Sequence, residues 1–461
     1  MTIWRPPIEQ FPGPRYQAIA DAIQRDIRSG RLRPGDRLPT HRDLAHALGV
    51  TVGTVTRGYA EAEKRGLARG HIGRGTYVAD KDRKLSPFTI REEDGSWPVN
   101  CALALPLPGL NPDLGPLLDG IRRAPYLRRL LEYQPPQGAE RFRETGARWL
   151  ERFGIRCAPE NVLVCNGGQH ALTILFGGLL SGGDKVITEE ATYPGVKGLA
   201  DLFKLRLVPA ATDRQGLIPD AVEAACRQDG VKAIYTMPTI HNPTTACLPE
   251  SRRRELAEIA RRHGLLIFED DPYRLLREDP PPPVAVYAPE RTFFPATITK
   301  ILDGGARISF LASPPEYTAR LGQVITVTTW MTPPLMAELA VRFVDSGLAD
   351  ETLARKREEN AARNRLARSM LDGLDIQSHE NAYFLWLHLP AQWRPRDFVR
   401  RARERGVEIL PASDFTIGEA RPQNAVRVAL SAAPDRESLA RGLAVLSGMA
   451  RDWPALEPGI L

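Results

Sequence analysis

The sequence predicts an α/β fold on a largely parallel, buried sheet, preceded by a small winged helix-turn-helix head, and three features support it. The 461 residues exceed what one hydrophobic core usually encloses, so at least two domains are expected. From residue 161 onward, short apolar runs alternate with helix-period segments, as in a sheet covered by helices on both faces. Before residue 80, two helical segments flank a glycine turn and are followed by two strand-like runs.

Within residues 16–32, isoleucines at 19, 23 and 27 form one stripe at helical spacing, and Ser29-Gly30 closes the run ahead of an Arg33-Pro34-Gly35 turn. Thr40 is placed to cap a helix opening at Arg42, Gly49 ends that helix, and Thr51 caps the next one, which continues to about Lys64. Residues 67–70 and 75–78 make two short strands joined at Gly73. Mixed charge with Pro87, Gly95 and Pro98 marks 80–100 as a linker, which leaves domains at 1–79 and 101–461. In the second domain, residues 161–165, 185–188, 233–237 and 265–268 read as strands, and 169–180 and 250–263 as helices. A long charged helix from about residue 354 opens a smaller α+β lobe with strands at 383–388, 407–410 and 425–430.

The formal net charge is +6, and residues 1–80 hold thirteen Lys/Arg against eight Asp/Glu, so most of the basic excess lies at the front, where it suits phosphate contact. Five cysteines, odd in number and widely spaced, show no metal-ligand pairing, and a reducing cytoplasm is expected. No basic-then-apolar leader opens the chain and no apolar run reaches bilayer length, so neither secretion nor membrane insertion is expected.

The run from Arg33 through Pro39-Thr40-His41-Arg42-Asp43-Leu44-Ala45, then Leu48-Gly49-Val50-Thr51 and Thr54-Val55-Thr56-Arg57-Gly58-Tyr59, resembles the winged helix-turn-helix of GntR-type bacterial regulators. Gly73-Arg74-Gly75-Thr76-Tyr77-Val78 matches the wing. That resemblance implies contact with double-stranded operator DNA through Arg42, Thr51, Thr54, Thr56, Arg57 and Arg74, with the second helix in the major groove. Val52 and Gly53 stand where longer polar side chains are common, so direct base readout by this helix is expected to be sparse.

Chemistry that ties amines to an aldehyde cofactor needs a lysine, an acid at the ring nitrogen, a phosphate cradle and a group for the substrate carboxylate. Asn166-Gly167-Gly168-Gln169 follows a strand and opens a helix, so free N–H groups face an anion there. Tyr193 supplies a ring that can stack on a planar cofactor, and Asn242, in His241-Asn242-Pro243-Thr244-Thr245, supplies a side-chain amide. Asp270 ends an apolar strand, with Tyr273 close behind. Thr297-Ile298-Thr299-Lys300 supplies the amine, Arg307 a further cation, and Arg427 a planar fork for a carboxylate.

In this order the residues resemble fold-type I pyridoxal-phosphate enzymes of the aspartate aminotransferase group, and with the head the whole chain is similar to MocR-type regulators. The resemblance implies pyridoxal 5'-phosphate as cofactor, with Lys300 as its Schiff-base partner, Asp270 at the pyridine nitrogen, Asn242 and Tyr273 at the ring oxygen, and Tyr193 stacked on the ring. It assigns phosphate to Gly168, Gln169, Thr297 and Arg307, and Tyr133 to the phosphate of a neighbouring subunit, hence a homodimer. Three departures stand out: Thr245 in place of a glycine, Thr-Ile-Thr in place of a serine-rich approach to the lysine, and Asp303-Gly304-Gly305-Ala306 in place of a Pro-Gly pair. His170 and His241 receive no role. The function expected is a transcriptional regulator that senses a small amine or amino acid through exchange at Lys300. The alternative is an aminotransferase with a fused DNA-binding head.

Overall fold

Threonine and glycine punctuate the front of the chain as their spacing predicts. A computed structural model of the protein describes residues 4–32, 36–65, 67–71, 75–78, 99–418 and 420–451. It divides into two compact units, Met1–Lys84 and Leu85–Leu461. In the first, α1 (Arg15–Arg28) stops short of residue 32 because Ser29 caps it and Gly30 turns away at φ +73. The Thr40 hydroxyl accepts from the Asp43 N–H at the start of α2 (His41–Leu48), and Gly49 ends that helix at φ +63. Thr51 caps α3 (Val52–Lys64) in the same way through the Thr54 N–H. Ile19, Ile23, Leu44, Val55 and Tyr59 close the core, and a Cβ on Gly58 would sit 2.9 Å from that of Ile19, so α1 and α3 pack at glycine distance. β1 (Ala68–His71) and β2 (Gly75–Val78) form the wing as an antiparallel pair, while Arg74 lies outside the described residues.

Most of the linker assigned to 80–100 also lies outside the described residues, except for its end. Val99–Asn100 form β3, paired in parallel with a strand at Val407–Glu408, so these two residues belong to the second unit. A two-residue strand is too short for composition to reveal. The large sheet uses β4 (Val162–Cys165), β5 (Lys185–Glu189) and β6 (Arg206–Ala210), and a hairpin of β7 (Thr212–Asp213) and β8 (Gly216–Leu217) follows. β9 (Val231–Thr236), β10 (Leu266–Glu269), β11 (Thr292–Thr297) and β12 (Ser309–Ala312) complete it. Among the described residues its order is β4-β12-β11-β10-β9-β5-β6, parallel except for β12.

The four strands that the apolar runs predict are present. β6, β11 and β12 lack so plain a signal, and β11 carries Pro295, which argues against a central strand. The proline is accommodated because pairing with β10 covers Thr292 and Phe293, while Pro295 faces Leu311 of β12. The long helix is Leu348–Met370, beginning a few residues before 354. After it come β13 (Ile376–Ser378), β14 (Phe384–His388), β15 (Val407–Glu408, the partner of β3), β16 (Leu410–Pro411) and β17 (Ala425–Ala429), with β13-β14-β17-β16 as the small sheet. The run predicted as one strand at 407–410 is split between β15 and β16.

Candidate functional site

β4, β9, β10 and β11 share a direction, so their carboxyl ends open on one edge of the sheet, where ligands of α/β folds bind. At that edge the chain passes from Cys165 through Asn166 and Gly167 into the helix Gly168–Leu179. Gly167 has φ +79, and a Cβ there would lie 2.7 Å from Arg307 Nη2, so a side chain is opposed by both backbone and guanidinium. Arg307 thus lies against the first turn, where the His170 and Ala171 N–H groups bond to the Gly167 carbonyl and those of Gly168 and Gln169 precede any intrahelical acceptor. Gly168 is beside Thr297, 3.9 Å between a Cβ built on the glycine and that of the threonine. Helix start and guanidinium together form an anion cradle, whereas the Thr297 hydroxyl is engaged by the chain, donating to the Ile308 carbonyl at 3.4 Å and accepting from the Thr299 N–H at 3.2 Å. Gln169 contributes differently from expectation: its Oε1 accepts from the Tyr193 hydroxyl at 3.0 Å, leaving its backbone N–H for an anion.

β10 delivers three consecutive buried acids. Glu269 accepts from the Val284 and Ala285 N–H groups at 2.9 and 2.8 Å, and Asp271 is bonded by the Thr239 hydroxyl. Between them, Asp270 accepts on Oδ2 from the Tyr235 hydroxyl at 2.7 Å, leaving Oδ1 for a further N–H donor. Burial pushes the Asp270 carboxyl up to about 6, opposed first by that hydrogen bond. Lys300 Nζ donates to the Ala104 carbonyl at 3.0 Å and stands 5.4 Å from the centroid of the buried Tyr273 ring. Burial, then Arg427 and Arg307, pull its ammonium down to about 8, against the attraction of Asp270. An amine that sheds its proton this easily is nucleophilic near neutrality. The Tyr383 hydroxyl fixes the Lys300 carbonyl at 2.6 Å.

Asn242 and Arg427 meet directly. Arg427, 1% exposed on β17, donates through Nη1 to Asn242 Oδ1 at 2.8 Å and through Nη2 to the Ala102 carbonyl, and its fork lies against the rings of Phe384 and Phe415. The fork assigned to a carboxylate is therefore engaged by the chain itself. Because Arg427 can only donate, it fixes the oxygen side of Asn242 and leaves Nδ2 as the donor for a ring oxygen. Thr245 adopts φ +63, the conformation that suits glycine, and its Oγ1 is buried without a partner among the described residues. Tyr133 stands apart, 82% exposed, its ring against that of Trp330. Tyr235, Ala104 and Tyr383 were missed in the sequence. Each lies in an ordinary apolar run and acquires its role only from what the fold sets opposite.

In the head, Arg42 is exposed in the first turn of α2, and Thr51, Thr56 and Arg57 are exposed along α3. The Arg57 guanidinium lies 4.3 Å from the Tyr16 ring centroid, so stacking fixes this cation.

Comparison with known proteins places these features. The family model described as aminotransferase class I and II matches residues 119–446. The chain belongs to that family. The bacterial regulatory proteins, gntR family, model matches residues 15–78 of this aminotransferase-family chain. The HTH-type transcriptional regulator YdeF of Bacillus subtilis, itself uncharacterized, is 29% identical over 450 residues, covering 97% of each chain. The HTH-type transcriptional regulator TauR of Rhodobacter capsulatus is 27% identical over 92% of this chain and 96% of its own. Among solved structures, an archaeal alanine:glyoxylate aminotransferase superposes with a TM-score of 0.72 at 25% identity, covering 78% of this chain and 92% of its own. LysN of Thermus thermophilus, an α-aminoadipate aminotransferase solved with N-(5'-phosphopyridoxyl)-L-leucine, gives 0.69 at 26%, covering 76% and 91%. The family member thus has the two-part architecture of MocR-type regulators, as expected from its motifs.

The cofactor of this fold is pyridoxal 5'-phosphate, and the residues fit it. The Gly167–Arg307 contact would receive its phosphate, Asp270 Oδ1 would meet a ring N–H, and Asn242, its oxygen held by Arg427, would donate through Nδ2 to a ring oxygen. Bound there, the cofactor supplies an aldehyde for amines and an electron-withdrawing ring. Asp270 would hold negative charge at the ring nitrogen, Lys300 would supply and accept a proton at Nζ, and Tyr273, whose ring lies 5.4 Å from that Nζ, would share the ring oxygen with Asn242.

Proposed function

We propose that this protein is a transcriptional regulator that binds double-stranded operator DNA through its GntR-type head and senses a small amine or amino acid through the cofactor at Lys300. The observation that carries the reading is end-to-end similarity, 97% of both chains, to a protein named as an HTH-type transcriptional regulator, with the amine site complete in the same polypeptide. Arg427, once released from Asn242 and Ala102, offers its fork to a carboxylate, which favours amino acids over simple amines. The protein acts as a cytoplasmic homodimer. Its five cysteines are all free, and Leu131, Tyr133, Val327 and Trp330 present apolar surface for a second copy, to which Tyr133 brings a hydroxyl for the phosphate. No helix among the described residues is long and apolar enough to cross a membrane.

The test is one titration with two readings: a panel of amines and amino acids is added while cofactor absorbance and binding to DNA selected from a random pool are followed together. A ligand that changes both supports the reading. Absorbance changes with no effect on DNA binding for any ligand would overturn the sensing role. The completeness of the site also favours a second reading, turnover as an aminotransferase, which steady keto-acid formation without selective DNA binding would establish instead.

A further inference from the structure

We propose that Val52, at the tip of α3, reads thymine by its 5-methyl group, making this residue a determinant of operator sequence. The inference rests on the DNA-binding reading of the head and goes beyond it by naming the base. Groups capable of hydrogen-bonded base readout at this tip are largely committed within the head. The Thr56 hydroxyl donates to the Val52 carbonyl at 3.0 Å. Thr51 Oγ1 accepts from the Thr54 N–H at 3.1 Å, and the Thr51 and Thr54 hydroxyls share a hydrogen bond at 2.9 Å. One hydroxyl proton among the three threonines is left, enough for a phosphate. Arg57, held over Tyr16, contributes charge from a fixed position.

Val52 is what remains. It is 45% exposed, whereas Val55, Tyr59 and Ala62, which follow it along the same side of α3, are at most 2% exposed, so at the helix tip its isopropyl group stands clear of the core. Beside it, the Cβ direction of Gly53 meets only Thr51 Oγ1, at 3.8 Å, so nothing bulky keeps a base edge away. The N-terminal residues of a recognition helix face base edges in the major groove. An isopropyl group has neither donor nor acceptor, and the one apolar group on those edges is the thymine methyl. The front of the chain carries the basic excess that brings a duplex to this face.

The experiment selects duplexes from a random-sequence pool with the full-length protein, then replaces each thymine of the selected site singly by uracil, which lacks only the methyl group. At fixed salt, uracil at one thymine of the α3 contact should weaken wild-type binding by roughly three- to fivefold, about the worth of one buried methyl. The same replacement should leave Val52→Ala, which starts from weaker binding, unchanged. If no uracil weakens binding, or if wild type and Val52→Ala lose equally, the assignment to Val52 is overturned while the DNA-binding reading stands. If selection yields no preferred sequence, the DNA-binding reading itself fails, and this inference with it.

Discussion

Asp270 is a buried carboxyl whose ionisation the fold opposes, and this cost is measurable. Its carboxyl sits at about 6 in the fold against an ordinary 3.8, so the folded state binds the extra proton between these values. Stability from this group is therefore present at low pH and is lost as pH rises from about 4 through about 6. Cofactor-free Asp270→Asn should then exceed wild type in urea resistance at pH 7 by about 1–3 kcal/mol, with the gap closing below about pH 4 and cofactor affinity reduced at neutral pH. Lys300→Ala should abolish the borohydride-trapped covalent link to the cofactor, read as a missing mass increment, while DNA affinity without ligand stays near wild type. Thr245→Gly should raise stability by up to about 1 kcal/mol in the same denaturation assay, because glycine meets φ +63 without strain. At this scale the candidate residues were legible as a set because amine chemistry demands particular functional groups in a familiar order. The fork of Arg427 was legible as a cation but not as one already bonded to Asn242 and Ala102, since those partners lie 185 and 325 residues away in sequence.

Caps and register govern what the elements do. Replacing Thr51 by alanine removes the acceptor for the Thr54 N–H and should cost the head about 1 kcal/mol, seen as a lower unfolding midpoint for its transition. Arg42→Ala leaves that transition in place but should lower the slope of log affinity against log salt by about 1, as loss of one phosphate contact requires. The helices of the head were readable because threonine, glycine and the isoleucine stripe each act within one turn. β6, β11 and β12 were not, since burial between neighbours, rather than any local pattern, makes them strands. Pro295 shows the limit most clearly: its place is set by where β10 stops pairing.

For the whole molecule, Val327 and Trp330 belong, with Leu131 and Tyr133, to the exposed apolar surface that a homodimer would bury, so Trp330→Glu should shift sedimentation toward the monomer. It should also weaken cofactor binding, because the partner's Tyr133 would be withdrawn. The closure of the second unit has a further consequence. Its first described strand, β3, pairs with Val407–Glu408, whereas the head's helices and wing form a compact unit within the first 84 residues. On the ribosome, the head can therefore fold long before β3 meets its partner. Any chain cut short before Val407, by a stalled ribosome or a premature stop codon, would release a folded GntR-type head without a completed second unit.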